Sequence, residues 1–224
     1  MAPSRVPPVT LEGRHVRLEP LTLHHAEGLL AVTGGPRETY GFTTVPASEE
    51  EMRRYIGTAL ADQEAGRALP FATVDRARGR VVGTTRFGNI EFWNWPAGHP
   101  LQRGPDVPDV VEIGWTWLAA DAQRTAINTE AKLLMLGHAF ERWRVHRVSL
   151  MTDARNARSR AAIERLGARF DGVVRAQRMA ADGGIRDTAC FSILEREWPE
   201  VRERLAGRLR RAADDPGRAA VAAR

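Results

Sequence analysis

Residues 110–132 limit the possible folds more than any other stretch. VVEIGWTWL reads as a β-strand, AADAQR as a short turn, and the segment beginning near TAINTEAK as a helix. In strand geometry Val111, Ile113, Trp115 and Trp117 fall on one face, with Val110, Glu112, Gly114 and Thr116 on the other. That puts a carboxylate on a face of mostly small or polar side chains. Leu133, Leu136, Phe140 and Trp143 recur three and four apart, so the helix is expected from Thr125 to Trp143. Its start offers unbonded backbone N–H groups and roughly half a positive charge, the ingredients of a phosphate site, and Arg124 adds a side-chain donor. Many strand-to-helix turns share these features, so the turn alone leaves the ligand open.

The flanking pattern supplies the rest of a mixed sheet with helices packed on it. LEGRHVRLEPL alternates like a strand, and TLHHAEGLLAV follows as a short helix. Ser48 and Glu51 fit a capping box that opens a helix through about Arg67. LPFATVD and RVVGTTRFGNI, separated by RARG, form a hairpin signal. From Trp93 to Asp109 four prolines and two glycines interrupt any periodicity, so the stretch is expected to be a long surface loop facing substrate. HRVSLMT is a strand, and Asn156 opens a helix through Leu166 that Gly167 ends. GARFDGVVRAQRM and IRDTACFSIL, joined by AADGG, read as two antiparallel strands before the closing helix WPEVRERLAGRL.

Composition enters as an exclusion. No apolar run approaches the roughly 18 to 20 residues that cross a bilayer, and MAPSRVPPVT lacks the apolar segment of a secretory signal, so neither membrane nor export is expected. The single cysteine, Cys190, excludes an internal disulfide or a multi-cysteine zinc site and is expected in the core of a cytoplasmic protein. Of 33 basic residues only Lys132 is a lysine, and +3 of the net charge of +5 falls within residues 196–224. The body is therefore nearly balanced, and nucleic acid is not expected as its partner. Residues 1–8 and 208–224 are expected as tails around a domain at 9–207.

Four segments together, in order and spacing, resemble the GCN5-related N-acetyltransferases, particularly the RimJ and RimL branch. They are VEIGW, AQRTAINTEAK, NARSRAAIERLGA and DTACFSILEREWPEV, and the resemblance covers residues 11–199. It implies an α+β fold of the acyl-CoA N-acyltransferase type, a mostly antiparallel mixed sheet of about six to seven strands flanked by helices. It also implies acetyl-CoA as co-substrate, a primary amine acceptor that is a protein N-terminus or a small molecule, no metal, and a monomer or homodimer.

In that family the acetyl-CoA pyrophosphate lies on a loop written Q/R-x-x-G-x-G/A. The loop maps onto Gln123, Arg124, Thr125, Ala126, Ile127 and Asn128, followed by Thr129. Both glycine positions depart: Ala126 still permits close backbone approach, and Asn128 is expected to tolerate the unusual backbone angles a glycine would supply. The resemblance further implies that the backbone at Trp117 and Leu118 pairs with the pantetheine arm and that Asn156 bonds it, alongside the helix-cap role open to that residue. Glu112 is the candidate base, with a structural pairing to arginine as its alternative, and a backbone N–H near Trp115 is the candidate oxyanion donor. Relatives carry tyrosine seven residues after the asparagine, where this chain has Ile163. Ser159 is the substitute candidate acid, set against simple helix-face packing. Trp93 and Trp95 are candidates to line the acceptor pocket. Two other readings stand beside this one: a catalytically inactive acetyl-CoA-binding module, and a nucleic-acid-binding protein using the Arg-rich C-terminus.

Overall fold

The computed structural model describes residues 6–35, 37–104 and 106–214. Its strands are β1 (Leu11–Glu12), β2 (Val16–Pro20), β3 (Leu69–Asp75), β4 (Arg80–Glu91), β5 (Val110–Leu118), β6 (Arg147–Asp153), β7 (Arg169–Met179) and β8 (Ile185–Leu194). They form one sheet in the order β1-β2-β3-β4-β5-β6-β8-β7, antiparallel at every step except β5 to β6. The count exceeds the expected six to seven because residues 11–21 fold as two strands rather than one. The Glu130 carboxylate makes the break: it accepts the backbone N–H groups of Arg14, His15 and Val16 at 2.9, 2.6 and 2.8 Å, taking them from any ladder.

Helices α1 (Ala26–Ala31) and α2 (Glu49–Glu64) cover one face of the sheet. Leu29, Met52 and Ile56 pack there with Ala72 of β3 and Trp117 of β5. Helices α3 (Ala126–Gly137), α4 (Ala157–Leu166) and α5 (Trp198–Asp214) cover the other, where Met135, Leu136, Ile163, Leu166 and Leu205 meet Phe71, Phe87, Val111 and Ile113. After α3 the chain continues as a π turn, His138–Trp143, so helical structure spans the expected range. Three N-caps follow the sequence: Ser48, Thr125 and Asn156 accept from the backbone N–H of Glu51, Ile127 and Ser159, each contributing about 1 kcal/mol. α2 stops at Glu64, short of Arg67, where Gly66 turns to φ +72°.

Four expectations change. Val6 is buried in the core rather than part of a tail, while Pro7 and Pro8 are exposed. Residues 208–214 continue α5 as helix, while 1–5 and 215–224 lie outside the described residues. Among the described residues of the Arg-rich end, Arg202, Arg204 and Arg210 pair with Glu141, Glu200 and Glu203 at the surface. Cys190 is half-buried rather than in the core, and partial burial, with the charges of Asp171 and Glu112, pushes its thiol pKa up. No helix among the described residues is long and apolar enough to cross a membrane.

The fourth change is the face assignment of β5. Val111 and Ile113 do face α3, but Trp117 packs on the α2 side and Leu118 on the α3 side. The strict alternation fails because β5 carries one extra residue opposite β4: Gly114 aligns with Arg86 and Trp117 with Thr84, leaving two β5 residues against Thr85. Trp115 absorbs the extra length at φ +50°, a left-handed conformation that a bulky residue rarely adopts. Gly88 makes room for it, since a Cβ there would enter the Trp115 ring, and the Arg86 guanidinium covers that ring at 4.0 Å.

Candidate active site

β5 and β6 pair only at Val110–Arg147, Val111–Val148 and Glu112–Ser149, although β5 runs on to Leu118 and β6 to Asp153. Beyond Glu112 the two strands part. Unpaired backbone in the middle of a sheet needs another hydrogen-bonding partner, which water or an extended ligand arm can supply. The bulge at Trp115 bends β5 away from its neighbour at this point.

Glu112 stands at the apex of the gap and is only 6% exposed. Burial pushes its pKa up, against the Asn89 Nδ2 hydrogen bond at 2.6 Å and the positive charges of Arg178, Arg186 and Arg86, which lower it. Arg86 leans on Asp62 at 3.3 Å. Arg178 and Arg186 are cross-strand partners on β7 and β8, and neither has an acidic partner within ion-pair distance among the described residues. Three guanidinium groups thus act on the carboxylate, while Asp62 holds Arg86 and Asp153 also acts on Arg186.

At the far end of the gap the turn after β5 is built largely from side-chain to backbone bonds. Leu118 O accepts from Gln123 Nε2 at 2.9 Å and from the Tyr40 hydroxyl at 3.3 Å. Thr125 Oγ1 donates to Ala122 O and caps α3 through Ile127 N–H. Ile127 is buried, so only its backbone could face a ligand, and that N–H is already capped. Ala126, Asn128 and Thr129 are half-buried at the helix start. α3 carries no acidic residue in its first turn, leaving its positive end uncompensated. The left-handed position of this loop is Arg124, φ +61°, not Asn128, which lies inside the helix. Removing the glycines thus imposes no strain at their positions, and Arg124 is exposed.

The other candidates divide into two groups. Arg158 of α4 donates to Gln123 Oε1, tying the turn to the start of the helix that bears Asn156 and Ser159. Asn156 Oδ1 accepts the Ser159 N–H at 2.9 Å, so its cap role is realised, and its amide NH2 remains a possible donor to a ligand. Ile163 is core, leaving Ser159, half-buried, as the hydroxyl of that turn. Trp93 and Trp95 belong elsewhere: Asp109 accepts the Trp93 N–H at 2.6 Å and the Trp95 indole N–H at 2.7 Å, while His146 stacks on Trp93. Asp109 precedes Glu112 by three residues, about 10 Å along a strand, and the gap opens in the opposite direction. The two indoles therefore gather around Asp109 at the start of β5, at the end of the strand opposite the gap. Sequence reasoning missed Asn89, Arg86, Arg178, Arg186 and Lys132, all brought in by long-range pairing. Among the described residues no group of three or more His, Cys, Asp or Glu side chains could hold a metal ion.

The residues present suit acetyl-CoA: an uncompensated helix start for its phosphates, unpaired strand backbone for an extended arm, and a buried carboxylate where the gap closes. Comparison with known proteins agrees. Residues 15–169 match the family model described as an acetyltransferase (GNAT) domain. A crystal structure of a GCN5-related N-acetyltransferase from Brucella melitensis is 30% identical with a TM-score of 0.77, over 92% of this chain and 87% of that one. The Mycobacterium smegmatis RimJ, solved with CoA-disulfide, shares the fold at 22% identity and a TM-score of 0.71, over 89% and 94% of the two chains. The curated relative "Putative ribosomal N-acetyltransferase YdaF" of Bacillus subtilis (strain 168) is 33% identical over 87 residues, 39% of this chain. That match spans about half, 46%, of the relative's length.

Proposed function

The chain belongs to the GNAT acetyltransferase family, and from that premise we propose that it moves the acetyl group of acetyl-CoA directly onto a primary amine, a protein N-terminus or a small amine, in a cytoplasmic ternary complex. The observation that carries this reading is the parting of β5 and β6 at Glu112, between the start of α3 and Asn156. When bound, acetyl-CoA supplies an activated acyl group. The backbone at Trp117 and Leu118 and the side chain of Asn156 hold the arm, while the Gln123–Thr129 turn takes the phosphates through its N–H groups other than that of Ile127. Glu112 accepts the proton of the incoming ammonium, and its raised pKa keeps it a strong enough base to do so. The Trp115 N–H stabilises the thioester oxygen as charge develops there, and the Ser159 hydroxyl protonates the leaving thiolate while recovering the proton that the newly acylated nitrogen sheds.

The test is release of free thiol from acetyl-CoA across a panel of amines and peptides, with a thermal melt in parallel. A melt raised by acetyl-CoA without any acceptor-dependent thiol would instead support the inactive binding module. No shift at all would sink the cofactor site. Because Arg178 and Arg186 surround Glu112 without acidic partners, acceptors bearing a carboxylate or phosphate near the amine should outrank polyamines at low salt.

Ser159→Ala should lower turnover less than any change at Glu112. A thiolate with a pKa near 8.5 leaves with little help, least of all at high pH, so the deficit should shrink as pH rises. A full-rate variant at pH 6 would remove Ser159 from the mechanism.

A further inference from the structure

The only lysine of the chain is buried beneath the bulge of β5. Lys132, on α3, is 5% exposed, and its Nζ donates to Thr116 Oγ1 at 2.7 Å and Thr85 Oγ1 at 3.1 Å. No carboxylate lies within ion-pair distance of it among the described residues, and burial pushes its pKa down to about 7. An uncompensated ammonium in the interior is costly, and a methionine would fill the same space without that cost. The site therefore uses the amine for something other than packing.

The hydrogen-bond directions say what. In its protonated form, the major one below about pH 7, Lys132 can only donate, so both hydroxyls then accept from it and must send their own protons onward. One proton bridges the 2.8 Å between Thr85 Oγ1 and Thr116 Oγ1. The other has two acceptors in reach, the Gly114 carbonyl oxygen at 3.4 Å from either hydroxyl, a long bond, and the Met135 Sδ at 3.7 Å from Thr85 Oγ1. That carbonyl belongs to the same peptide unit as the Trp115 N–H. No described peptide bond is cis, and in a planar trans peptide C=O and N–H point in opposite directions. With the carbonyl turned toward β4 and Lys132, the Trp115 N–H is turned away from both, toward the side where β6 has left the strand.

We propose that Lys132 is a positioning residue for acetyl transfer, acting through Thr85 and Thr116 on the Gly114–Trp115 peptide to fix the bulge and strengthen the Trp115 N–H as donor to the thioester oxygen. Positive charge behind the carbonyl draws electron density toward its oxygen and makes the N–H a better donor. Chains of hydrogen bonds reinforce one another, and the low dielectric of the interior keeps the charge effective. This inference rests on the acetyl-transfer reading of the site.

Lys132→Met separates it from a packing role, because the two predict opposite outcomes. With the full chain, the melting temperature should hold or rise, acetyl-CoA affinity should stay within about threefold, and kcat should fall about 10-fold or more, the scale of a weakened oxyanion donor. The infrared carbonyl stretch of bound acetyl-CoA, 13C-labelled at the thioester carbonyl, should move back toward its value in free solution. Thr116→Val, which keeps the lysine and cuts the relay, should reproduce the kcat loss and the spectral change. Unchanged kcat and carbonyl stretch in Lys132→Met would overturn the proposal, as would a lowered melting temperature with normal kcat. A Thr116→Val variant of wild-type rate would overturn the relay. The infrared arm needs no acceptor, so it decides the question even if no amine in the panel is acetylated. Failure of acetyl-CoA to bind the wild-type chain would sink the acetyl-transfer reading itself and the inference with it.

Discussion

Glu112→Gln is expected to bind acetyl-CoA with unchanged affinity and to turn over about 100-fold or more slowly, the usual cost of losing a general base. The amide keeps the shape of the carboxylate and still accepts the Asn89 Nδ2 hydrogen bond, so geometry at the apex survives while proton acceptance does not. The pH behaviour is the sharper readout. Burial raises the Glu112 pKa, so the wild-type enzyme should lose rate as pH falls through that raised value, higher than an ordinary carboxylate limb. The variant lacks this limb, and its deficit should narrow at high pH, where more amine arrives deprotonated. Stability should move the other way. A carboxyl whose folded pKa exceeds its unfolded one binds its proton more tightly when folded, so it favours the fold at low pH and costs stability as pH rises through the folded value. Gln removes that cost, and at neutral pH the melting temperature should hold or rise. A variant with full activity across the pH range would transfer the base role to ordered water or to another group at the gap.

The same residue illustrates what the sequence could and could not carry. β5, its turn and α3 are legible because their apolar spacing and the Thr125 cap are local, and so are the Asn156 cap and the Gly167 stop. Glu112 as a carboxylate on a polar face follows from alternation over the first four residues of the strand. What fails is everything after the bulge, since the extra residue at Trp115 is set by pairing with β4 and by the glycine at position 88, not by anything in the run VVEIGWTWL. Analogy with a glycine would put the left-handed residue of this turn at Asn128, but helix α3 already includes that position, and the turn is made at Arg124. The setting of Trp93 and Trp95 is likewise not local. Their anchor, Asp109, lies 14 and 16 residues away, and no local pattern announces it. Lys132 shows the limit most plainly: it stands out in composition, yet its partner Thr85 is 47 residues distant in sequence.

Ala126→Glu should abolish acetyl-CoA binding while the chain stays folded. Ala126 is the first residue of α3, half-buried beside the backbone N–H groups proposed to receive the phosphates, so a carboxylate there places bulk and like charge on the anion site at once. Loss through unfolding is disfavoured by the same electrostatics. An acid in the first turn interacts favourably with the helix macrodipole, by about 0.3 to 1 kcal/mol, and α3 has none there in the native chain. The variant should therefore melt at or above the wild-type temperature without ligand, and acetyl-CoA should no longer raise it. Ala126→Gln adds comparable bulk without charge, so affinity intermediate between the two would divide the loss between steric and electrostatic parts. If Ala126→Glu binds acetyl-CoA as the native chain does, the phosphates do not lie at the start of α3. The turn from Gln123 to Thr125 would then owe its many side-chain bonds to holding β5 apart from β6, not to the ligand.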